Sequence, residues 1–381
     1  MTLTARTTRE LRRRLADRLR DLGAVRSDAW YAAFADVPRE VFVPAFSVRT
    51  AEGVREYDTA EPGYAEAVYA DESLVTRFDE HGTAVSSSSQ PSVMAVMLEA
   101  LHVPEGGRVL EVGTGTGYNA ALLSHRFGSG RVVSVDIDAS LTETARARLQ
   151  LAGYAPALVT GDGTAGCAEH APFGAVLATC GVERVPVAWL EQTRPGGTVV
   201  VNIGSVIVRL TVGGDHGASG PFLPRDASFM TARPGPEHTS PRAPAYSGLV
   251  VNGTGRRRAE PLPGGGEGFL ADLVRGACLE VSLYQPDVLG MTLAPAREPK
   301  IYGLVHPATG SWARITLEDA ATVSVAWDGP RDLWAERAPV LTRWISAGRP
   351  GPGAYGLTVG PGGEHELWLD AAHGGQRLPL P

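Results

Sequence analysis

The residues best equipped for chemistry in this 381-residue chain lie in Glu111-Val-Gly-Thr-Gly-Thr-Gly117. An apolar run, Arg108–Val112, leads into this stretch, and a helical run from Tyr118 to Phe127 leads out of it. Strand, glycine turn and helix make a nucleotide-binding unit, in which glycines let the chain turn sharply and let a ligand lie against bare main chain. The helix that follows offers free N–H groups at its start. The spacing narrows the choice of ligand. Gly113, Gly115 and Gly117 alternate, and Tyr118 sits where a dinucleotide fingerprint needs its third glycine. No Gly-Lys-Ser/Thr follows, so this is not a phosphate loop of the Walker kind. The acid Glu111, ahead of the first glycine, suits a ligand that carries a cation better than a bare anion. The plain alternative is a structural glycine turn in some other α/β protein.

Two more acids end apolar runs further along. Val133-Ser-Val-Asp136 is followed by Ile137, and an acid at that point can accept both hydroxyl protons of a ribose. Thr160-Gly-Asp-Gly163 brings Asp162 and Gly163 to the same edge, where Asp162 either reaches an adenine amino group or caps the next helix. Upstream, Ser86-Ser-Ser-Ser-Gln-Pro91 runs into the apolar helix Val93–Leu101, so Ser88 and Ser89 also have an ordinary reading as helix caps. No pairing of nucleophile and base stands out. The nine histidines lack metal-ligand spacing, and Cys167, Cys180 and Cys278 lie too far apart for a paired-thiol motif.

The elements that must position these residues alternate. Strands are expected at 108–113, 131–137, 156–161, 173–179 and 198–203, with helices at 117–127, 139–152, 164–170 and 185–193 between them. That order predicts a Rossmann-like, doubly wound, mostly parallel sheet with helices on both faces and ligands at the carboxyl edge. Ahead of it, Leu11, Leu15, Leu19 and Leu22 predict a helix over 7–22 whose arginines face solvent. Residues 69–89 read as a polar loop region. Beyond 213 the chain turns Gly- and Pro-rich up to 268, which predicts mobile loop. Strands are then expected at 278–283, 312–315 and 322–327, a helix at 332–345 and a hairpin over 355–370. The division that follows is an N-terminal helical segment (1–80), a catalytic domain (81–215) and a C-terminal α+β accessory region (216–381).

A net charge of −7 and a pI near 5.8 argue against general nucleic-acid binding, and no apolar run suffices to span a membrane. The arginine-rich start lacks an apolar core after it, so no secretory signal is read and a cytoplasmic protein with reduced thiols is expected.

The pattern E-x-G-x-G-x-G resembles the cofactor loop of S-adenosylmethionine (SAM) methyltransferases. Together with Val37-Pro-Arg-Glu-Val-Phe-Val-Pro44, Tyr69-Ala-Asp-Glu-Ser-Leu74, Ser89-Gln-Pro91, Asp136, Gly161-Asp-Gly163 and Arg194-Pro-Gly-Gly197, it resembles the protein L-isoaspartyl O-methyltransferase family from about Trp30 to about Val212. That resemblance implies a SAM-dependent carboxyl methyltransferase acting on an aspartyl or isoaspartyl residue of a peptide or protein. It implies that Glu111, Gly113, Thr114, Gly115, Gly117, Asp136, Ile137, Asp162 and Gly163 bind SAM, and that Ser89, or Ser88 in a shifted register, orients the methyl-accepting carboxylate. The long extension resembles an actinobacterial branch that tailors ribosomally made peptides such as lanthipeptides and graspetides.

Overall fold

The computed structural model describes residues 5–50, 53–80, 82–233, 243–262, 279–293, 300–319, 321–370 and 374–380. The chain opens with the amphipathic helix α1 (Ala5–Asp21), then α2 (Asp28–Asp36) and the single turn α3 (Arg39–Phe42). Ser27 caps α2 by accepting the Trp30 N–H, and the Glu99 carboxylate takes the Arg26 and Ser27 N–H groups at 2.7 Å each. Four strands follow, β1 (Ala45–Thr50), β2 (Gly53–Asp58), β3 (Leu74–Phe78) and β4 (Ala84–Ser88), with α4 (Tyr64–Val68) between β2 and β3. They form a separate antiparallel sheet in the order β2-β1-β3-β4.

This sheet corrects the expected loop over 69–89. Its strands are short, and the β3–β4 register slips, pairing Val75 with Ser87 but Arg77 with Ser86. A slip of that kind breaks the strict alternation by which a strand is read from sequence.

After α5 (Pro91–Glu99) comes the central sheet: β5 (Val109–Val112), α6 (Tyr118–Phe127), β6 (Val132–Asp136), α7 (Ala139–Leu151), β7 (Ala157–Thr160), β8 (Phe173–Val182), α8 (Val187–Glu191), β9 (Thr193–Ile203), β10 (Val206–Val212) and β11 (Ala218–Asp226). The expected helix at 164–170 is two 3₁₀ turns, Gly163–Ala165 and Ala168–His170. Strands β7-β6-β5-β8-β9 run parallel, and β10 and β11 continue the sheet antiparallel.

Residues on the two faces of this sheet enter different cores, as the period of two requires. Val109, Leu177 and Val200 pack with α1, α2, α5 and α6, while Leu110, Val176, Val199 and Val201 pack with Trp189 of α8 and with the C-terminal region.

That region holds α9 (Ser247–Asn252), β12 (Arg256–Pro261), α10 (Leu279–Tyr284), β13 (Leu289–Leu293), β14 (Ile301–His306), β15 (Ser311–Leu317), β16 (Thr322–Asp328), α11 (Leu333–Ser346), β17 (Tyr355–Val359), β18 (His365–Leu369) and β19 (Arg377–Pro379). Strands β12 to β16 make a five-stranded antiparallel sheet, whereas β17, β18 and β19 return to the central sheet through β11 and bring it to ten strands. The expected cuts at 80 and 215 therefore fall inside paired hairpins, β3–β4 and β10–β11.

The β-like run Cys278–Leu283 is instead the helix α10, apart from Cys278, which lies outside the described residues. Leu279 and Leu283, one helical turn apart, are buried together, and the buried Glu280 carboxylate meets Tyr355 Oη and Arg343. Burial of that face overrides the strand preference of the sequence. Within the stretch expected to be mobile, Ala218–Asp226 is a strand of the central sheet; 234–242 and 263–278 lie outside the described residues. No described helix is long and apolar enough to cross a membrane.

Candidate active site

The glycine loop leaves β5 and turns into α6 at the carboxyl edge of the central sheet. Gly113 takes φ +96, and a Cβ there would sit 2.6 Å from Thr179 Oγ1, so only glycine fits. Thr179, near the end of β8, donates its hydroxyl towards Val112 O (3.1 Å) and Gly113 O (2.7 Å) and fixes the loop's first turn. Asp136 ends β6 and is 8% exposed; its Oδ2 accepts the Gly115 N–H at 2.8 Å and its Oδ1 the Asp138 N–H at 3.0 Å. Both carboxylate oxygens keep capacity for a further donor. Asp162, at the end of β7, uses Oδ1 to accept from Thr164 N (2.9 Å) and Thr164 Oγ1 (2.7 Å), so the capping role is real. The buried indole of Trp189 donates to Gly163 O at 2.8 Å and steadies the same turn.

These residues line one cavity of about 380 Å³, within the range of small-ligand clefts. Gly113, Thr114, Gly115, Asp136, Ile137, Asp162, Gly163, Ser88 and Ser89 all line it. Gly117 shapes the loop from φ +85 at the helix start.

Glu111 stands apart from the lining, and this corrects the expectation that it meets the ligand. It is fully buried, and its carboxylate turns inward to accept from Asn119 Nδ2 (2.7 Å) and Ser134 Oγ (2.5 Å). Ser134 in turn bonds Thr114 Oγ1 at 2.6 Å. Burial pushes the Glu111 carboxyl up to about 7, with the Ser134 and Asn119 bonds acting the other way. Its work is to tie β5, β6 and α6 together beneath the loop.

The other wall depends on Arg39. Its guanidinium is fully buried and donates to five main-chain carbonyls, those of Val68 (3.0 Å), Ala70 (2.9 Å), Glu72 (3.1 Å), Ser88 (3.3 Å) and Ser89 (3.2 Å), and from Nε to Ser88 Oγ at 3.3 Å. Burial lowers its pKa to about 10, with Tyr118, Tyr69 and the Asp71 carboxylate acting the other way. Asp71 completes the clamp by accepting from Ser92 N (2.8 Å) and Gln90 Nε2 (3.3 Å). Ser88 is therefore buried and bonded to Arg39, while Ser89 is partly exposed.

The sequence alone assigns no role to the Val-Pro-Arg-Glu and Tyr-Ala-Asp-Glu-Ser segments. An arginine just after a proline, in an apolar stretch, was the available signal. Thr179 could have been found from its place at a strand's carboxyl end.

A third wall had no sequence signal. Residues Asp226–Arg233, from the last residue of β11 onward, also line the cavity. Gly181 N–H donates to Met230 O (2.9 Å), Ala232 N–H returns to Gly181 O (2.8 Å), and the buried Asn202 amide donates to Ala227 O (2.8 Å).

Among the described residues the lining carries Asp136, Asp162 and Asp226 but a single cationic side chain, Arg233. An acid-rich cleft with a bare-backbone loop fits a nucleoside that carries positive charge, as SAM does, and not a polyphosphate. SAM, when bound, supplies a methyl group on a sulfonium.

The comparisons agree with this reading. The family model for protein-L-isoaspartate(D-aspartate) O-methyltransferase matches residues 10–212. The chain is 35% identical over 206 residues to a protein-L-isoaspartate O-methyltransferase of Staphylothermus marinus, covering 52% of this chain and 81% of that protein. It is 37% identical over 179 residues to the protein of that name from Thermotoga maritima, covering 46% of this chain and 51% of that one. A solved structure titled protein-L-isoaspartate O-methyltransferase aligns over 94% of this chain and 99% of its own, with TM-score 0.55 and 24% identity, so the likeness in fold runs on through the C-terminal region. The chain thus belongs to the protein-L-isoaspartate(D-aspartate) O-methyltransferase family and has the fold and SAM dependence of that family.

Proposed function

We propose that the protein methylates the free carboxylate of an L-isoaspartyl or aspartyl residue in a peptide or protein. The ester then loses methanol to the next backbone nitrogen, closing a succinimide through which aspartyl and isoaspartyl linkages interconvert. The observation that carries this reading is what the lining contains. Among the described residues it is rich in hydroxyls and holds no histidine or lysine, and burial pushes its one thiol there, Cys180, up to about 12. Such a cleft suits an acceptor that arrives already ionised, as a carboxylate with pKa about 4 does. What remains is to hold the acceptor oxygen in line, a task of proximity.

In this reading the Gly113–Gly117 loop, Asp136, Ile137, Asp162 and Gly163 hold SAM, with Thr114 bracing the loop and Glu111 supporting it from beneath. Ser89 orients the carboxylate, being partly exposed, whereas Ser88 is buried with its Oγ accepting from Arg39 Nε. Repair of damaged protein in the cytoplasm is the first choice of biological role. The relatives' names support it, and the extended fold is shared with a structure that bears the same title. Tailoring of a ribosomal peptide is the second reading, favoured by the wall that residues Asp226–Arg233 add to the cleft. A small-molecule carboxylate, or a non-catalytic nucleoside-binding scaffold, stands behind both.

Incubation with methyl-labelled SAM and matched isoaspartyl and aspartyl peptides tests the proposal. Base-labile label on the isoaspartyl peptide alone is the expected result. Label on neither peptide, with SAM bound, would remove the repair reading.

A further inference from the structure

A second cavity, of about 600 Å³, opens at the same sheet edge over the carboxyl ends of β8 and β9. One side is Gly181–Glu183 and Asn202–Ser205; the other is built by α10, β13 and α11 of the C-terminal region. It shares Ser228, Phe229 and Thr231 with the cleft already described, so a single strip of chain stands between the two. The strand order reverses between β5 and β8, and in such sheets ligands lie across that reversal. The first cavity covers the β5–β7 side of the reversal, and this one covers the β8–β9 side.

Arg337 of α11 lines the second cavity and is 3% exposed. Its partners are neutral: Nε donates to Gln285 Oε1 and Nη1 to Tyr302 Oη, both at 2.7 Å. Among the described residues no carboxylate lies within ion-pair distance of it. Neighbouring Glu336 is turned to Arg331 and Gln285 instead. Among the described residues the lining has one acid, Glu183, which is exposed. A buried guanidinium held in place by neutral groups, and facing a cavity, is a preformed seat for a carboxylate.

We propose that this cavity takes the stretch of peptide flanking the methyl-accepting residue, and that Arg337 binds a carboxylate of that peptide, either an acidic side chain or the free C-terminus. This rests on the acceptor being a peptide, as proposed above.

The test uses the full chain, labelled SAM and three isoaspartyl peptides of one length: neutral and amidated, the same with one glutamate beyond the isoaspartate, and neutral with a free C-terminus. For the wild type, KM should be about tenfold or more lower for one of the charged peptides than for the neutral one, as a charge-assisted bond implies; which one identifies the source of the carboxylate. Arg337→Gln should erase that difference while SAM affinity holds, and Arg337→Lys should restore part of it, which a merely structural arginine would not do. Should Arg337→Gln fail to fold, Thr292→Trp, at an exposed lining position of β13, should raise KM for all three peptides with SAM affinity unchanged. Equal KM for the three wild-type reactions, a preference that survives Arg337→Gln, or an unaltered KM in Thr292→Trp would overturn this site and leave the methyltransferase reading standing. A wild type that labels none of the peptides would overturn the peptide-acceptor reading and this site with it.

Discussion

The half of the cleft over β5, β6 and β7 draws its lining from one stretch of chain, residues 112–164, whereas the opposite wall is assembled from Ser73, Val85–Met94, Thr179–Cys180 and Asp226–Arg233. The first half is made by local geometry. A loop turns on glycine, an acid ends a strand, and hydrogen bonds span neighbouring strands. The second half is made by long-range clamps, such as the five carbonyls gathered by Arg39 and the strip after β11 held by Gly181 and Asn202. The half proposed to hold the cofactor is the local one. The half proposed to face the acceptor leans on distant segments whose positions only packing sets.

Breaking the clamp should have the largest effect. Arg39→Ala leaves five main-chain carbonyls, two in buried and three in part-buried bonds, short of a donor and should cost about 3 kcal/mol or more. Arg39→Lys should recover little of this, because one ammonium has fewer donors than the guanidinium fork. Thermal unfolding of the two variants measures the loss, and a melting temperature equal to wild type would show that the carbonyls find other donors.

On the other side of the comparison, Asp136→Ala should weaken SAM binding by about a hundredfold, the loss of charge-assisted bonds, with the fold retained. Calorimetric titration with S-adenosylhomocysteine reads it directly, and unchanged affinity would take Asp136 out of the cofactor half. Ser89→Ala should be milder still, lowering kcat by about tenfold, the worth of one hydrogen bond, at nearly constant SAM affinity. Full activity in that variant would move the role to Ser88 or to main chain.

Last comes Glu111, whose effect falls on the pH dependence of stability. Its carboxyl titrates near 7 in the folded chain against 4.5 as the ordinary value. Between those values the folded chain keeps a proton that the unfolded chain has released, so this group makes stability fall as pH rises from 4.5 towards 7 and adds no slope above. Glu111→Gln keeps the shape and should remove that slope, as denaturant midpoints at pH 5 and pH 7.5 would reveal. An unaltered slope would mean that the carboxyl is not held protonated.

Much of this was legible before any coordinates. The alternation from Val109 to Ile203, the glycine loop, and Asp136 and Asp162 at strand ends all follow from hydrophobic period and turn chemistry, which are local. The late hairpin over Tyr355–Leu369 and the helix capped by Asp332 follow in the same way. The direction of Glu111 was not legible. A strand residue next to a ligand loop faces either way, and here Ser134 and Asn119 draw it inward. Nor was Leu279–Tyr284 legible as a helix, since six apolar-rich residues satisfy either period.

Sequence by itself determined the parallel nucleotide fold, the residues at its carboxyl edge and the family likeness, because each rests on residues close together in the chain. Only the tertiary structure decided that Arg39 holds Ser88 and Ser89, that the strip after β11 walls the cleft, and that β17 to β19 return to the central sheet. Those contacts join segments from 25 to 141 residues apart. Their free energy comes from burial and from satisfying buried polar groups, which no short window of sequence contains.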